Sequence, residues 1–193
     1  MPDASPAKWH RAHTTWFFEQ FLLGEHCEGY QPFHPDYAFL FNSYYVSAGP
    51  RHARHQRGHL TRPGADEVTA YRRPVDAAVV KFFQTTDEDR LAKLAPLVEV
   101  GLNHEQQHQE LFLTDLKYTF GVNPLFPAYR GDYTPELNVE SGAGTFVEIN
   151  GGEYEIGFNG EGFSFDNELG RHTVRLDDFE IATRLVTNLE FLE

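Results

Sequence analysis

Apolar residues recur every three or four positions through the first two thirds of the chain, the spacing that places them on one face of a helix. The first such stretch, residues 6–23, follows Ser5, which can cap a helix, and stops before Gly24. The same spacing predicts three further helices, over residues 35–49, 66–83 and 86–120. Pro74 and Pro96 fall inside the last two, where a proline kinks or splits a helix.

The pattern changes after Phe120. Residues 121–144 are rich in Pro, Gly and Asn, as expected of a linker. Beyond them, alternating apolar and polar residues on both sides of Asn-Gly-Gly at 150–152 predict a β-hairpin, and 172–182 predict a second pair of strands before the first turns of a helix. The sequence therefore predicts an α+β protein with a helical bundle over 1–120, a linker over 121–144 and a β-rich region over 145–193. That last region is too short to close its own core, so we expect a fragment or remnant of a longer protein.

Charge and cysteine content narrow the function. Sixteen Lys and Arg against 29 Asp and Glu give a formal net charge of -13, which repels phosphate backbones and anionic lipids, so neither nucleic acid nor membrane is an expected partner. Cys27 is the single cysteine, which excludes an intrachain disulfide and fits a reducing compartment. Without a long apolar run or a secretory signal, the sequence predicts a soluble cytoplasmic protein. The basic segment 51–62 suits a small anionic ligand, or is a solvated loop.

Two histidines four residues apart, His104 and His108, lie in the last predicted helix. They share one face and interrupt an apolar stripe, so they either hold a metal ion together or make hydrogen bonds in a core. The pattern His-Glu-x-x-His also occurs in metalloproteases. One protease class needs Gly and His where this chain has Leu111 and Thr114, and another needs a downstream Glu, for which Glu136 lies in the linker. A protease is therefore disfavoured.

A third ligand is expected on the first predicted helix. His10 and His13 lie three residues apart there, and His13 shares a face with the aromatic residues Trp9 and Trp16. Three neutral histidines without a carboxylate or thiolate suit Fe(II), Zn(II) or Ni(II), and spacing does not choose among these metals.

Four segments together resemble one known family: "PDASPAKWHRAHTTWFFEQFLL", "FNSYYVSAGPRHARHQRGHLTRP", "NHEQQHQELFLTDLKY" and "FSFDNELGRHTVRLDDFEIATRLVTNLEFLE". They are similar to the ergothioneine-biosynthesis sulfoxide synthases, or hercynine oxygenases. The resemblance implies a DinB-like helical bundle followed by a formylglycine-generating-enzyme-like domain of C-type-lectin-like fold. Family members normally have a further helix before the first segment and a longer second domain. A chain truncated in this way is expected to hold metal and substrate poorly.

The resemblance implies an iron-dependent oxidoreductase. Such an enzyme uses non-haem Fe(II) and O2 to join hercynine, which is Nα-trimethylhistidine, to cysteine or γ-glutamylcysteine as a sulfoxide. Matched residue by residue, its iron ligands are His13, His104 and His108.

The same match assigns roles around the metal. Gln107 contacts hercynine, and Arg54 and Arg57 hold the carboxylate of the thiol substrate, for which guanidinium groups are suited. Tyr44 and Tyr45 are the catalytic candidates, although neighbouring tyrosines in an aromatic helix are commonly packing residues.

Two other functions stay open from the sequence. DinB-like bundles also serve as divalent-metal thiol transferases, which have a similar three-histidine site but lack a second domain such as residues 145–193. The chain could also be a truncated, non-catalytic metal-binding module.

Overall fold

The computed structural model describes residues 4–132 and 144–192. The chain divides into two compact units, Met1–Tyr129 and Arg130–Glu193. The first unit is helical and the second contains small antiparallel sheets, so the protein is α+β, as predicted. None of the helices in the described ranges combines the length and the apolar character that a membrane crossing requires.

Helix α1 spans Ala7–Phe17 and continues as a π-helical turn over Phe18–Leu23 and a short helix, α2, over Gly24–His26. The N-cap of α1 is Pro6 rather than Ser5. The hydroxyl of Ser5 instead accepts a hydrogen bond from the side chain of Arg57.

The π-helical turn carries a buried carboxylate, that of Glu19. Its oxygens accept hydrogen bonds from the hydroxyl of Tyr71 at 2.6 Å, the hydroxyl of Tyr30 at 2.9 Å and the amide of Phe33 at 2.9 Å. These three donors offset the cost of removing the carboxylate from water and tie α1 to the segments around it.

Residues 35–49 do not form the long aromatic helix that the sequence predicts. Helix α3 covers only Tyr37–Leu40. The side-chain amide nitrogen of Asn42, Nδ2, donates to the carbonyl oxygens of Tyr45 and Gly49, at 3.0 and 3.1 Å. Because these side-chain bonds satisfy backbone groups that a helix would pair, a coiled loop competes successfully with helix here. Short 3-10 turns occur at Val46–Ala48, Arg54–His59 and Asp166–Glu168.

The two longest helices come next, α4 over Ala65–Thr85 and α5 over Glu88–Val122. Pro74 and Pro96 both lie inside continuous helices, so neither proline splits its helix and the predicted division at Pro96 is wrong. Around Pro74 the side chains of Tyr71 and Val75 are fully buried, and this packing outweighs the backbone hydrogen bond that a proline removes.

The core of the first unit lies where α1, its π-helical turn, α4 and α5 meet. Helix α5 approaches α1 closely at Gly101, which is buried. A Cβ at this position would lie 2.5 Å from Cζ of Phe18 and 3.0 Å from Cε1 of Phe17. The missing side chain therefore permits a close approach one turn before His104.

Within residues 144–192 the second unit contains four strands and a short helix: β1 Phe146–Ile149, β2 Gly152–Ile156, β3 His172–Leu176, β4 Phe179–Ala182 and α6 Asn188–Leu192. β1 pairs antiparallel with β4, and β2 with β3. The predicted hairpin at Asn-Gly-Gly is therefore wrong. The amide of Gly151 donates to Oδ1 of Asp178 at 2.6 Å, and a Cβ on Gly151 would lie 2.8 Å from the carbonyl oxygen of Leu176. The glycine thus serves a close approach of two segments instead of a tight turn.

Candidate metal centre

Three histidine side chains from two helices converge in the first unit. His13 is on α1, and His104 and His108 lie one turn apart on α5. The centres of their rings are 4.9 Å apart for His13 and His104, 4.7 Å for His13 and His108, and 4.6 Å for His104 and His108. One nitrogen from each ring lies within 4.8 Å of the other two, which is close enough for the three residues to bind one metal ion.

The hydrogen bonds of the rings are consistent with ligands for a metal. Nδ1 of His13 is 2.5 Å from the carbonyl oxygen of Phe41, and since a carbonyl only accepts, Nδ1 carries the proton and Nε2 keeps its lone pair. Nδ1 of His104 is buried and has no hydrogen-bond partner among residues 4–132 and 144–192. A buried nitrogen without a partner is costly, and an ion in the centre of the cluster would fit this donor set.

Burial also keeps the ligands in the form that binds metal. His13 and His104 are buried, and His108 is half-buried. Removal from water lowers the pKa of His104 to about 4. The pKa of His108 is lowered to about 3, mainly by removal from water and further by the nearby His104, His10 and Arg57. Burial lowers the pKa of His13 well below its ordinary value as well. All three imidazoles are therefore neutral near pH 7, as metal coordination requires.

Two residues that the sequence did not assign to the site extend it beyond His108: His10 contacts His108, and Asp115 contacts His10. Nδ1 of His10 is 2.9 Å from Nδ1 of His108, and Nε2 of His10 is 3.3 Å from Oδ2 of Asp115. Asp115 lies on α5, seven residues after His108, and so on the same helical face. Its position on that face was the only feature of the sequence that pointed to Asp115.

Glu105, the glutamate of His-Glu-x-x-His, makes an ion pair away from the cluster. Its carboxylate accepts hydrogen bonds from the guanidinium of Arg72 on α4, at 3.2 Å for the closest pair. A protease of this motif uses the glutamate as a general base at the metal. The ion pair with Arg72 disfavours that role. The other protease candidate, Glu136, lies outside the described residues.

The two candidate tyrosines differ in their surroundings. Tyr44 is exposed, and its hydroxyl accepts a hydrogen bond from Arg54 at 2.9 Å. Tyr45 is half-buried, and the centre of its ring is 6.4 Å from that of His104. Its ring also packs against the aromatic rings of Trp16, Phe17 and Phe21. Tyr45 is therefore the tyrosine of the pair that lies near the cluster.

The two candidate arginines are also unlike each other. Arg54 is exposed, whereas Arg57 is buried, with its guanidinium 3.6 Å from the centre of the Trp9 ring. Arg57 donates hydrogen bonds to the hydroxyls of Ser5 and Ser43, and none of the ion pairs within residues 4–132 and 144–192 involves it. Burial, with the nearby charge of Arg54, lowers the pKa of Arg57 to about 10. Such a buried cation without a carboxylate favours the approach of an anion.

A cavity of about 250 Å³ opens between α1 and α5 beside the cluster. Its lining includes His10, His108, Glu105 and Phe112. Gln107 is exposed on α5 and is not part of this lining.

Comparison with known proteins adds no relative to this picture. No protein-family model matches the chain, and no curated protein matches it. The resemblance to hercynine oxygenases accordingly stays a prediction.

Proposed function

We propose that this protein is a non-haem Fe(II), O2-dependent sulfoxide synthase that joins hercynine to cysteine or γ-glutamylcysteine in ergothioneine biosynthesis. The observation that carries the proposal is the cluster of His13, His104 and His108, whose ligand atoms lie within 4.8 Å of one another. Three protein ligands leave further coordination positions for substrates and dioxygen, a requirement that a closed structural site does not meet.

The residues of the cluster have defined tasks in this proposal. Bound iron would supply a Lewis acid for the thiol and imidazole and a redox-active centre through which O2 is reduced by electrons from the two substrates, with one oxygen atom ending in the sulfoxide and the other in water. The three imidazoles hold the ion without adding negative charge, since burial keeps them neutral. Trp9 and Trp16 stack on His13, with ring centres 4.7 and 5.3 Å away, and restrict the orientation of that ligand.

Arg57 and Arg54 are proposed to hold the carboxylate of the thiol substrate. Arg57 contributes a buried positive charge that forms no ion pair with the described carboxylates, and it lies against Trp9, which stacks on His13. Arg54 contributes an exposed guanidinium. Because charge-assisted bonds to a carboxylate strengthen in a site with little water, a thiol carrying a carboxylate should bind better than one without it. Gln107, the proposed hercynine contact, is exposed and can reach a ligand that arrives from solvent.

Tyr45 is the better candidate for the catalytic tyrosine, because its half-buried ring lies 6.4 Å from that of His104 whereas Tyr44 is exposed. A phenol near the metal can donate a proton to reduced dioxygen. Replacing Tyr45 with Phe keeps the aromatic packing and removes the proton, so this variant should bind metal normally and lose product formation. Tyr44→Phe is the matched control and should keep most of the activity.

The deciding experiment is anaerobic reconstitution of the protein with Fe(II), followed by hercynine, cysteine or γ-glutamylcysteine, and O2. Mass spectrometry should detect the sulfoxide, and an oxygen electrode should record consumption of O2 that His104→Ala abolishes and Glu105→Gln leaves intact. A thiol conjugate formed without oxygen consumption would instead indicate a thiol transferase. Tight metal binding with no product from any of these substrates would contradict an enzymatic role and leave a metal-binding module.

A further inference from the structure

His10 connects a metal ligand to a carboxylate. One ring nitrogen of His10, Nδ1, faces Nδ1 of His108 at 2.9 Å, and the other, Nε2, faces Oδ2 of Asp115 at 3.3 Å. The same carboxylate oxygen accepts a hydrogen bond from the backbone amide of Ser5 at 2.9 Å. Asp115 is therefore held by the backbone that precedes α1 while it holds His10.

The positions of the protons in this chain of atoms follow from hydrogen-bond chemistry. A carboxylate only accepts, so Nε2 of His10 carries a proton, and a neutral His10 then has a lone pair on Nδ1. The short contact between the two Nδ1 atoms needs one proton, which must belong to His108. His108 is consequently protonated on Nδ1 and has its lone pair on Nε2, the form that can bind a metal through that atom.

The ring of His10 has little freedom to break this arrangement. It is buried on α1, with the ring centres of Trp9 and Phe112 at 5.9 and 6.1 Å. The comparable hydrogen bond of His13 goes to a backbone carbonyl, which can only accept. The hydrogen bond of His108 goes to the imidazole of His10, which could act as donor or acceptor. Because Asp115 accepts from Nε2 of His10, Nδ1 of His10 is left as the acceptor.

We infer that His10 and Asp115 are positioning residues for His108: they orient its ring and fix the tautomer that presents Nε2 to the metal ion. The inference rests on the metal centre of the proposed function but not on its reaction. Partners of this kind, placed behind a metal-binding histidine, typically contribute about 10–100-fold to metal affinity. The negative charge of Asp115, acting through His10, also increases the basicity of the ligand.

Metal affinity, measured for Zn(II) by competition with a chromophoric chelator, tests the role without relying on catalysis. Asp115→Asn keeps an oxygen that can accept from Ser5 and His10 but removes the charge, and His10→Phe removes the link; each should lower Zn(II) affinity about 10–100-fold. His10→Asn places an amide oxygen near the position of Nδ1 and should restore part of the loss. Glu19→Gln is the matched control, a buried carboxylate changed to its amide outside this chain of bonds, and should bind Zn(II) as tightly as the unsubstituted protein.

Two-bond 1H–15N correlations of 15N-histidine-labelled protein with Zn(II) provide the second readout, because they report which ring nitrogen carries the proton. His108 should be protonated on Nδ1 and His10 on Nε2. Coordination of Zn(II) by Nδ1 of His108, or unchanged affinity in both Asp115→Asn and His10→Phe, would overturn the inference while leaving the metal centre in place. If the unsubstituted protein takes up neither Zn(II) nor Fe(II), the metal centre itself is wrong and the inference fails with it.

Discussion

Gly101→Ala tests whether the close contact of α5 with α1 determines the geometry of the metal centre. The added methyl group would lie 2.5 Å from Cζ of Phe18 and 3.0 Å from Cε1 of Phe17. Carbon atoms pack favourably at about 3.5–4.0 Å, so a displacement of about 1 Å is needed to relieve the contact. The ring of Phe18 is partly exposed and can take up part of this displacement, but Phe17 is only 2% exposed and its ring has no solvent to move into, so α5 itself should shift.

Two opposing contributions determine the stability of this variant. Alanine is favoured over glycine inside a helix by about 1 kcal/mol, whereas overpacking a close contact costs about 1–3 kcal/mol. The free energy of unfolding should therefore fall by about 1 kcal/mol. The metal affinity should change more than the stability, because relieving the contact with Phe17 alone needs a shift of about 0.5 Å or more one turn before His104, which reaches the tolerance of about 0.5 Å for a functional site. We expect metal affinity to fall about tenfold or more.

Urea unfolding of the metal-free protein and Zn(II) titration measure the two effects separately. Gly121→Ala is the control, because it lies on the same helix and an added Cβ there meets nothing within 4 Å. It should leave metal affinity unchanged and raise the free energy of unfolding by up to about 1 kcal/mol. The reasoning is refuted if Gly101→Ala equals Gly121→Ala in both measurements.

The remaining predictions concern charge. Burial lowers the pKa values of His104 and His108 from 6.5 to about 4 and about 3. Below pH 6.5 the unfolded chain therefore binds more protons than the folded chain does. The free energy of unfolding of the metal-free protein should decrease over that range, by up to about 1.4 kcal/mol per pH unit for each histidine, and a flat urea-unfolding series would contradict this. Glu19→Gln should destabilise the protein by about 1–3 kcal/mol in urea, because an amide cannot accept from every donor around it. Glu105→Gln should cost at most about 1 kcal/mol, since its ion pair with Arg72 is partly exposed, and should retain metal in a chelator titration. Loss of metal on this change would indicate that the carboxylate acts at the cluster.

The sequence predicted best where local spacing determines the outcome. Residues four apart on a helix share a face, so the approach of His104 to His108 follows from α5 alone. The participation of His13 was anticipated because an aromatic stripe marks the side of α1 that packs inward. The link from His108 to His10 spans 98 residues and depends on how α1 crosses α5, which no local pattern contains.

Misplaced elements have equally specific causes. The predicted helix over 35–49 was lost to the two hydrogen bonds from Asn42 to backbone carbonyls, and such competition depends on the final loop geometry. Pro74 was expected to break α4, but buried neighbours on both sides hold the helix together. Gly151 was assigned to a turn because glycine is common there, whereas its role is the close approach to the segment around Asp178. In each case tertiary contacts overrode a local preference.

Both tryptophans of the protein stack on the same metal ligand, since the rings of Trp9 and Trp16 each lie nearly parallel to that of His13. All tryptophan fluorescence of the protein therefore originates next to one imidazole, that of His13. An ion with unpaired electrons, such as Fe(II), should quench this fluorescence on binding, whereas closed-shell Zn(II) should leave most of it. Occupancy of the centre can thus be followed optically in the unlabelled protein.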